Sequence, residues 1–274
     1  MPNSVRTALL ALLFAAATAH ADLRPEAVPG GVVVLDVAPA GTPRPQVRFD
    51  GKPVLLQQGP DGWKAVVGLS LDTPPGEHAL EIGAERRRLP FQVRAKAYPE
   101  QRLTVKNPKM VSPDPADLER IDAEKERQLR IRSQFREVPV ARSDLDLPAS
   151  GRLSSRFGLR RVFNGEPRAP HSGLDVAAPA GAPIRAPADG VVTLVDDLYF
   201  NGRTVFVDHG QGFVSMVCHL SQAKVTVGQS VHRGDLLGLV GSTGRATGPH
   251  LHWSVYLNGV AVDPALFIAP APAR

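Results

Sequence analysis

Near its C-terminus the chain runs Gly248-Pro249-His250-Leu251-His252-Trp253-Ser254-Val255-Tyr256-Leu257. The alternation after Pro249 predicts a strand over 250–257. Successive side chains on a strand point to opposite faces, so His250 and His252 share one face and Leu251 points to a core. Paired imidazoles on a sheet face suit a metal or acid–base chemistry. The plainer alternative is the polar face of a half-buried strand.

Upstream, Val191–Val195, Thr204–Asp208, Phe213–His219, Val225–Val227 and Leu236–Val240 are apolar or alternating stretches separated by glycines, with almost no helix signal. They predict a mainly antiparallel β domain over 150–268, long enough for its own core. Before it, Glu137 to Ser150 carries Pro139 and Pro148 and reads as an extended linker. A Glu/Lys/Arg-rich exposed helix is expected over about 114–135, capped by Asp114 or Ser112, with Pro115 in its first turn and Leu118, Ile121, Leu129 and Ile131 as apolar contacts. Residues 29–97 read as short strands divided by Pro/Gly/Asp turns, which suggests a small sandwich. The expected organisation is a signal peptide (1–21), an N-terminal β-sandwich-like domain (22–98), a connector with its helix (99–149), the C-terminal domain (150–268) and a tail (269–274).

Composition sets bounds on function. Of 274 residues, 43% are hydrophobic and 22% charged, which fits a packed protein. Arg6, the apolar run Ala8 to Ala17 and the small-x-small Ala19-His20-Ala21 read as a secretory signal. The only cysteine is Cys218, so neither a lipid-bearing cysteine after that signal nor an internal disulfide is expected. No later apolar run is long enough to cross a bilayer. A net charge of +5 fits plain solubility, and no nucleic-acid partner is implied.

Of eight histidines, six fall between 171 and 252. His171-Ser172-Gly173-Leu174-Asp175 can bring an imidazole and a carboxylate to one point if the chain turns at Gly173 or enters a strand. Strict alternation puts His219 on a face with Val217 and Ser215, and Cys218 with Met216 on the other, as buried hydrophobes. His171, Asp175 and His252 together supply the three N/O ligands of a catalytic zinc that keeps a fourth position open. His219 and His250 remain for proton transfer and oxyanion stabilisation. A closed structural zinc site would more typically use several cysteines. His209 and His232 read as structural or exposed.

These segments resemble the lysostaphin/LytM-type zinc metallopeptidases, which cut peptide links in bacterial peptidoglycan. The resemblance covers about 150–268. It is carried by His171-Ser172-Gly173-Leu174-Asp175, Ala178-Pro179-Ala180-Gly181-Ala182-Pro183-Ile184, Ala188-Asp189-Gly190-Val191-Val192, Val207-Asp208-His209-Gly210, Cys218-His219-Leu220, Val227-Gly228-Gln229-Ser230-Val231 and the run from Gly241 to His252. It implies one Zn2+ on His171, Asp175 and His252, catalytic roles for His219 and His250, and a groove floored by an antiparallel sheet. Many members carry Tyr where this chain has Val217. Implied with these are cross-link peptides of peptidoglycan as substrate and a periplasmic or extracellular site of action. No substrate-binding residue is assigned, and the N-terminal region could either orient the domain or cover its groove. Two alternatives stand beside this reading: a non-catalytic wall-binding or amidase-activating protein on the same fold, and a zinc peptidase acting on proteins.

Overall fold

The computed structural model describes residues 23–106 and 108–268. The expected signal peptide and tail lie outside the described residues. The chain is mainly β, with one α-helix among the described residues.

The N-terminal strands are β1 (Val32–Pro39), β2 (Val47–Phe49), β3 (Lys52–Pro53), β4 (Leu55–Gly59), β5 (Gly62–Gly68), β6 (Gly76–Ile82) and β7 (Arg87–Val93). They form two antiparallel sheets, β1-β5-β4 and β3-β2-β6-β7. Val33, Val37, Phe49, Val67, Leu80 and Phe91 fill the space between them, as the inner faces of a sandwich require. There follow β8 (Glu100–Leu103) and the helix α1 (Pro115–Arg132). Asp114 occupies the N-cap position without a side-chain cap bond. Of the four apolar contacts expected on α1, Ile121 and Ile131 are buried, whereas Leu118 and Leu129 are 47% and 48% exposed. Glu124 is buried instead, accepting from Arg120 Nε at 2.7 Å and the Tyr199 N–H at 2.8 Å.

The C-terminal strands are β9 (Arg152–Ser155), β10 (Arg160–Phe163), β11 (Glu166–Pro167), β12 (Leu174–Ala177), β13 (Pro183–Arg185), β14 (Gly190–Leu198), β15 (Gly202–Gly210), β16 (Phe213–Ala223), β17 (Ser230–Val231), β18 (Leu236–Val240), β19 (Leu251–Leu257) and β20 (Val260–Val262). The main sheet runs β17-β14-β15-β16-β19-β12-β9, with β20 beside β19 and the β13–β18 pair joined to β16. Its pairings are antiparallel. A separate pairing between β8 and β10 is parallel.

Strand β19 is buried on both faces. Leu251, Trp253, Val255 and Leu257 enter the main core with Leu174, Val176, Val205 and Val217. Tyr256, on the opposite face, packs with Phe206, Met216, Cys218 and Ile131 of α1. The main core also takes in Val32, Leu55 and Val66, so it runs across the linker into the sandwich. Two buried amides tie the regions together. Asn258 donates to Gly68 O at 3.1 Å and accepts from Gly68 N–H at 2.7 Å. Gln211 does the same with Leu56 O at 3.2 Å and Leu56 N–H at 3.1 Å. Amides held at both ends fix one docking geometry, because breaking them strands buried backbone groups.

Candidate metal centre

The register of β12 against β19 places Asp175 directly opposite His252. Cross-strand partners point to the same side of a sheet, so both side chains lie on the face away from the main core. His171 reaches the same point from the turn before β12. The turn passes through Gly173, where an added Cβ would lie 2.4 Å from Trp253 O and 2.7 Å from His252 Cε1 and Nε2. Only glycine lets the chain pass this close beneath the His252 ring.

Three atoms converge. His171 Nε2 lies 2.9 Å from Asp175 Oδ1 and 3.0 Å from His252 Nδ1, and the remaining edge, Asp175 Oδ1 to His252 Nδ1, is 2.8 Å. All three residues are buried. Their outer atoms are held. His171 Nδ1 donates to Arg156 O at 2.7 Å, which leaves its Nε2 lone pair for the site. Ser254 Oγ, 2.9 Å from His252 Nε2, can accept from it and so frees the Nδ1 lone pair. Asp175 Oδ2 accepts from Arg161 Nη2 at 2.9 Å, so only Oδ1 faces inward.

Two imidazole lone pairs and a carboxylate oxygen aimed at one point form a donor set that calls for a cation, and outer-atom bonds of this kind orient metal ligands. Ligands about 2.1 Å from a tetrahedral ion are about 3.4 Å apart, so the triangle need open by only a few tenths of an ångström. The protonation states agree with this. Burial alone would raise Asp175, but hydrogen bonds and charge from His171 and His252 outweigh it and hold the carboxyl well below the usual range. Burial pushes His252 down to about 4 against the opposing pull of Asp175. Ionised carboxylate and neutral imidazole are the metal-binding forms.

His250 and His219 stand beside this triangle. His250 Nε2 is 4.0 Å from Asp175 Oδ1, and its Nδ1 donates to Gly248 O at 2.8 Å. The His219 ring centre lies 4.8 Å from that of His250 and 6.0 Å from that of His252. His219 Nδ1 donates to Thr243 O at 2.8 Å. A carbonyl oxygen can only accept, so in the neutral form each imidazole has its proton on Nδ1 and its lone pair on Nε2. Burial, with His252 and His250 nearby, lowers His219 to about 3.

The face expected for His219 is corrected. Cys218, not Val217, pairs opposite His252 and shares its face. His219 has φ +64° and the pairing of β15 with β16 slips at this point, so a bulge turns the ring back toward His250 and His252. Strict alternation would send it into the main core. Cys218 is buried, its thiol pushed up to about 12 by burial, and it is not one of the converging ligands. Val217 is buried in the main core. His209 is buried, with Nδ1 donating to Asp189 O at 2.7 Å and Nε2 2.9 Å from Ser215 Oγ. His232 is exposed. Neither reaches the triangle.

Residues that sequence reasoning did not single out complete the surroundings. Arg161, on β10, bonds both Asp175 and Ser155 Oγ. Gln101 of β8 accepts from Ser155 Oγ at 3.2 Å. Past β8 three side chains of the C-terminal domain hold the chain: Arg168 donates to Val111 O at 2.8 Å, Tyr199 donates to Lys109 O at 3.1 Å, and Arg245 donates to Met110 O at 3.3 Å. The charged run Arg160-Arg161-Val162-Phe163 carries too little alternation to announce a strand, and its partner β8 lies 60 residues away in register (Arg160 opposite Glu100).

Comparison with known proteins follows this division. The family model described as peptidase family M23 matches residues 169–264, and the one described as its N-terminal domain matches residues 25–96. A solved structure from Pseudomonas aeruginosa, assigned to peptidase M23, is 45% identical and superposes with a TM-score of 0.75, covering 90% of this chain and 96% of that one. The DD-carboxypeptidase/endopeptidase Mpg of Neisseria meningitidis is 41% identical over 121 residues, 44% of this chain and 28% of the relative. The peptidoglycan DD-endopeptidase ShyA of Vibrio cholerae is 42% identical over 113 residues, 41% of this chain and 26% of the relative. The match therefore spans little more than a quarter of these curated relatives.

Proposed function

The chain belongs to peptidase family M23, and on that premise we propose that it is a zinc endopeptidase hydrolysing the peptide cross-links of bacterial peptidoglycan, exported to the periplasm or beyond. The observation that carries the reading is the buried triangle of His171 Nε2, Asp175 Oδ1 and His252 Nδ1 with His219 and His250 beside it. The peptidoglycan substrate is supported by the activities named for Mpg and ShyA. Two imidazoles and one carboxylate suit zinc and leave a fourth position for substrate or water.

Zinc held there would polarise the scissile carbonyl and bring the pKa of water to about 7. The remaining chemistry falls to the chain's own groups. His250 and His219, each with Nδ1 tied to a carbonyl, present Nε2 to the groove. One takes the proton of the attacking water at Nε2. The other, once protonated there, donates to the developing oxyanion or to the departing amine. Arg161 holds Asp175 Oδ2, which leaves Oδ1 as the oxygen that would bind the ion.

Cleavage of defined cross-linked muropeptides by zinc-loaded protein, against His219→Ala and His250→Ala, tests the assignment. Each substitution is expected to lower kcat by about 100-fold or more with zinc content retained. Undiminished turnover in either variant would remove that histidine from the mechanism. No muropeptide cleavage by the loaded parent would favour a binding or activating role on the same fold.

A further inference from the structure

Arg245 lies in the loop between β18 and β19, two residues after Thr243, whose carbonyl holds His219, and five before His250. Its guanidinium sits 4.4 Å from the Phe200 ring centre and 4.9 Å from that of Phe163. Among the described residues the guanidinium makes one hydrogen bond, from Nη1 to Met110 O at 3.3 Å. Among the described residues no carboxylate lies within ion-pair distance of it, and its other two nitrogens are neither bonded nor sealed from solvent. The neighbouring arginines differ. Arg161 has Asp175, and Arg168 has Glu166. Burial, with Arg161 and Arg168 nearby, lowers Arg245 to about 10, so it stays charged at neutral pH. A half-buried cation without a counter-charge is unfavourable unless an anion joins it.

Position says which anion. Arg161 and Arg245 both lie over Phe163, at 5.8 and 4.9 Å from its centre. Arg161 in turn bonds Asp175. Laid end to end these spacings keep Arg245 within about 17 Å of the candidate metal centre, about five residues of extended peptide at ~3.5 Å each. The two rings fix the guanidinium plane, and its free edge suits the fork geometry of a carboxylate.

We propose that Arg245 binds a free carboxylate of the peptide substrate close to the scissile bond and so determines specificity; this rests on the hydrolase reading above. Cross-linked stem peptides offer two such groups: the C-terminal carboxylate, and the carboxylate of the residue whose side chain donates the cross-linking amine.

The test uses the zinc-loaded full chain and three synthetic cross-linked peptides, one with both carboxylates free and two with one or the other converted to carboxamide. One of the two amidations is expected to lower the parent's kcat/KM by about tenfold or more. That same amidation should change Arg245→Gln by less than twofold, with Arg245→Lys intermediate, and which amidation matters identifies the carboxylate. Zinc content and melting curves like the parent's distinguish a lost contact from a disturbed loop; should Arg245→Gln fail to fold, Arg245→Lys and the parent's own response carry the test. Indifference of the parent to both amidations, or an equal penalty in Arg245→Gln, would overturn the proposal while leaving the hydrolase reading standing. Failure of the loaded parent to cleave any of the three would remove both.

Discussion

Adding one methyl group at Gly173 should lower metal affinity as well as fold stability, whereas the same addition at Gly181 should lower stability alone. An alanine Cβ there would meet Trp253 O at 2.4 Å and the His252 ring at 2.7 Å, well inside contact distance. Neither neighbour can yield freely. Trp253 is part of β19, and the His252 ring is pinned between Asp175 Oδ1 at 2.8 Å and Ser254 Oγ at 2.9 Å. The strain of such overpacking is about 1–3 kcal/mol. In a chain of this size that is roughly 2–10 °C in Tm. The ring is the softer neighbour and should absorb part of the displacement. Its Nδ1 then leaves a triangle whose edges are only 2.8–3.0 Å, and zinc affinity should fall about 10- to 100-fold. Gly181→Ala is the control. Gly181 has φ +83° with nothing within 4 Å of its Cβ position, so alanine there should cost about 1–2 kcal/mol through backbone strain alone and leave zinc affinity unchanged. Chelator-competition titration gives affinity, and melting with and without zinc gives stability. Parent-like affinity in Gly173→Ala, or an equal loss in Gly181→Ala, would refute the account of how the turn at Gly173 holds His252.

Two other expectations concern stability. Asn258→Ala leaves the N–H and C=O of Gly68 buried without partners and should destabilise the whole chain by about 2–4 kcal/mol in a single denaturant transition; a separate early transition confined to the sandwich would contradict a shared core. His209 is buried, and burial lowers its pKa to about 4, whereas in the unfolded chain it titrates near 6.5. The unfolded state then binds more protons, so stability is lost as pH falls from about 6.5 toward 4, by about 2 kcal/mol at pH 5. The pH 7-to-5 loss in unfolding free energy should be smaller by about that amount in His209→Gln, and an equal loss in both proteins would reject the assignment.

How much of this was readable beforehand follows from local physics. The alternation in β19 announces itself because every second residue from Leu251 to Leu257 is apolar and enters one core. The four-residue spacing from His171 to Asp175 works because Gly173 permits the close turn. His219 defeats alternation, since a single left-handed residue in β16 reverses which face its ring takes. Nothing local marks that bulge. Arg161 and Arg245 were hidden for another reason: their roles come from a charged hairpin and a glycine-rich loop that pattern alone does not position. The core shared between sandwich and main sheet was likewise illegible, because Val32, Leu55 and Val66 read as ordinary strand residues whichever partner they bury against.

The most direct test is zinc stoichiometry measured alongside muropeptide release in the same preparations of parent and His252→Ala. The account predicts one tightly held zinc per parent chain with release of cleaved muropeptides, and both properties lost together in the variant. Full release from a His252→Ala protein that retains no zinc would contradict it.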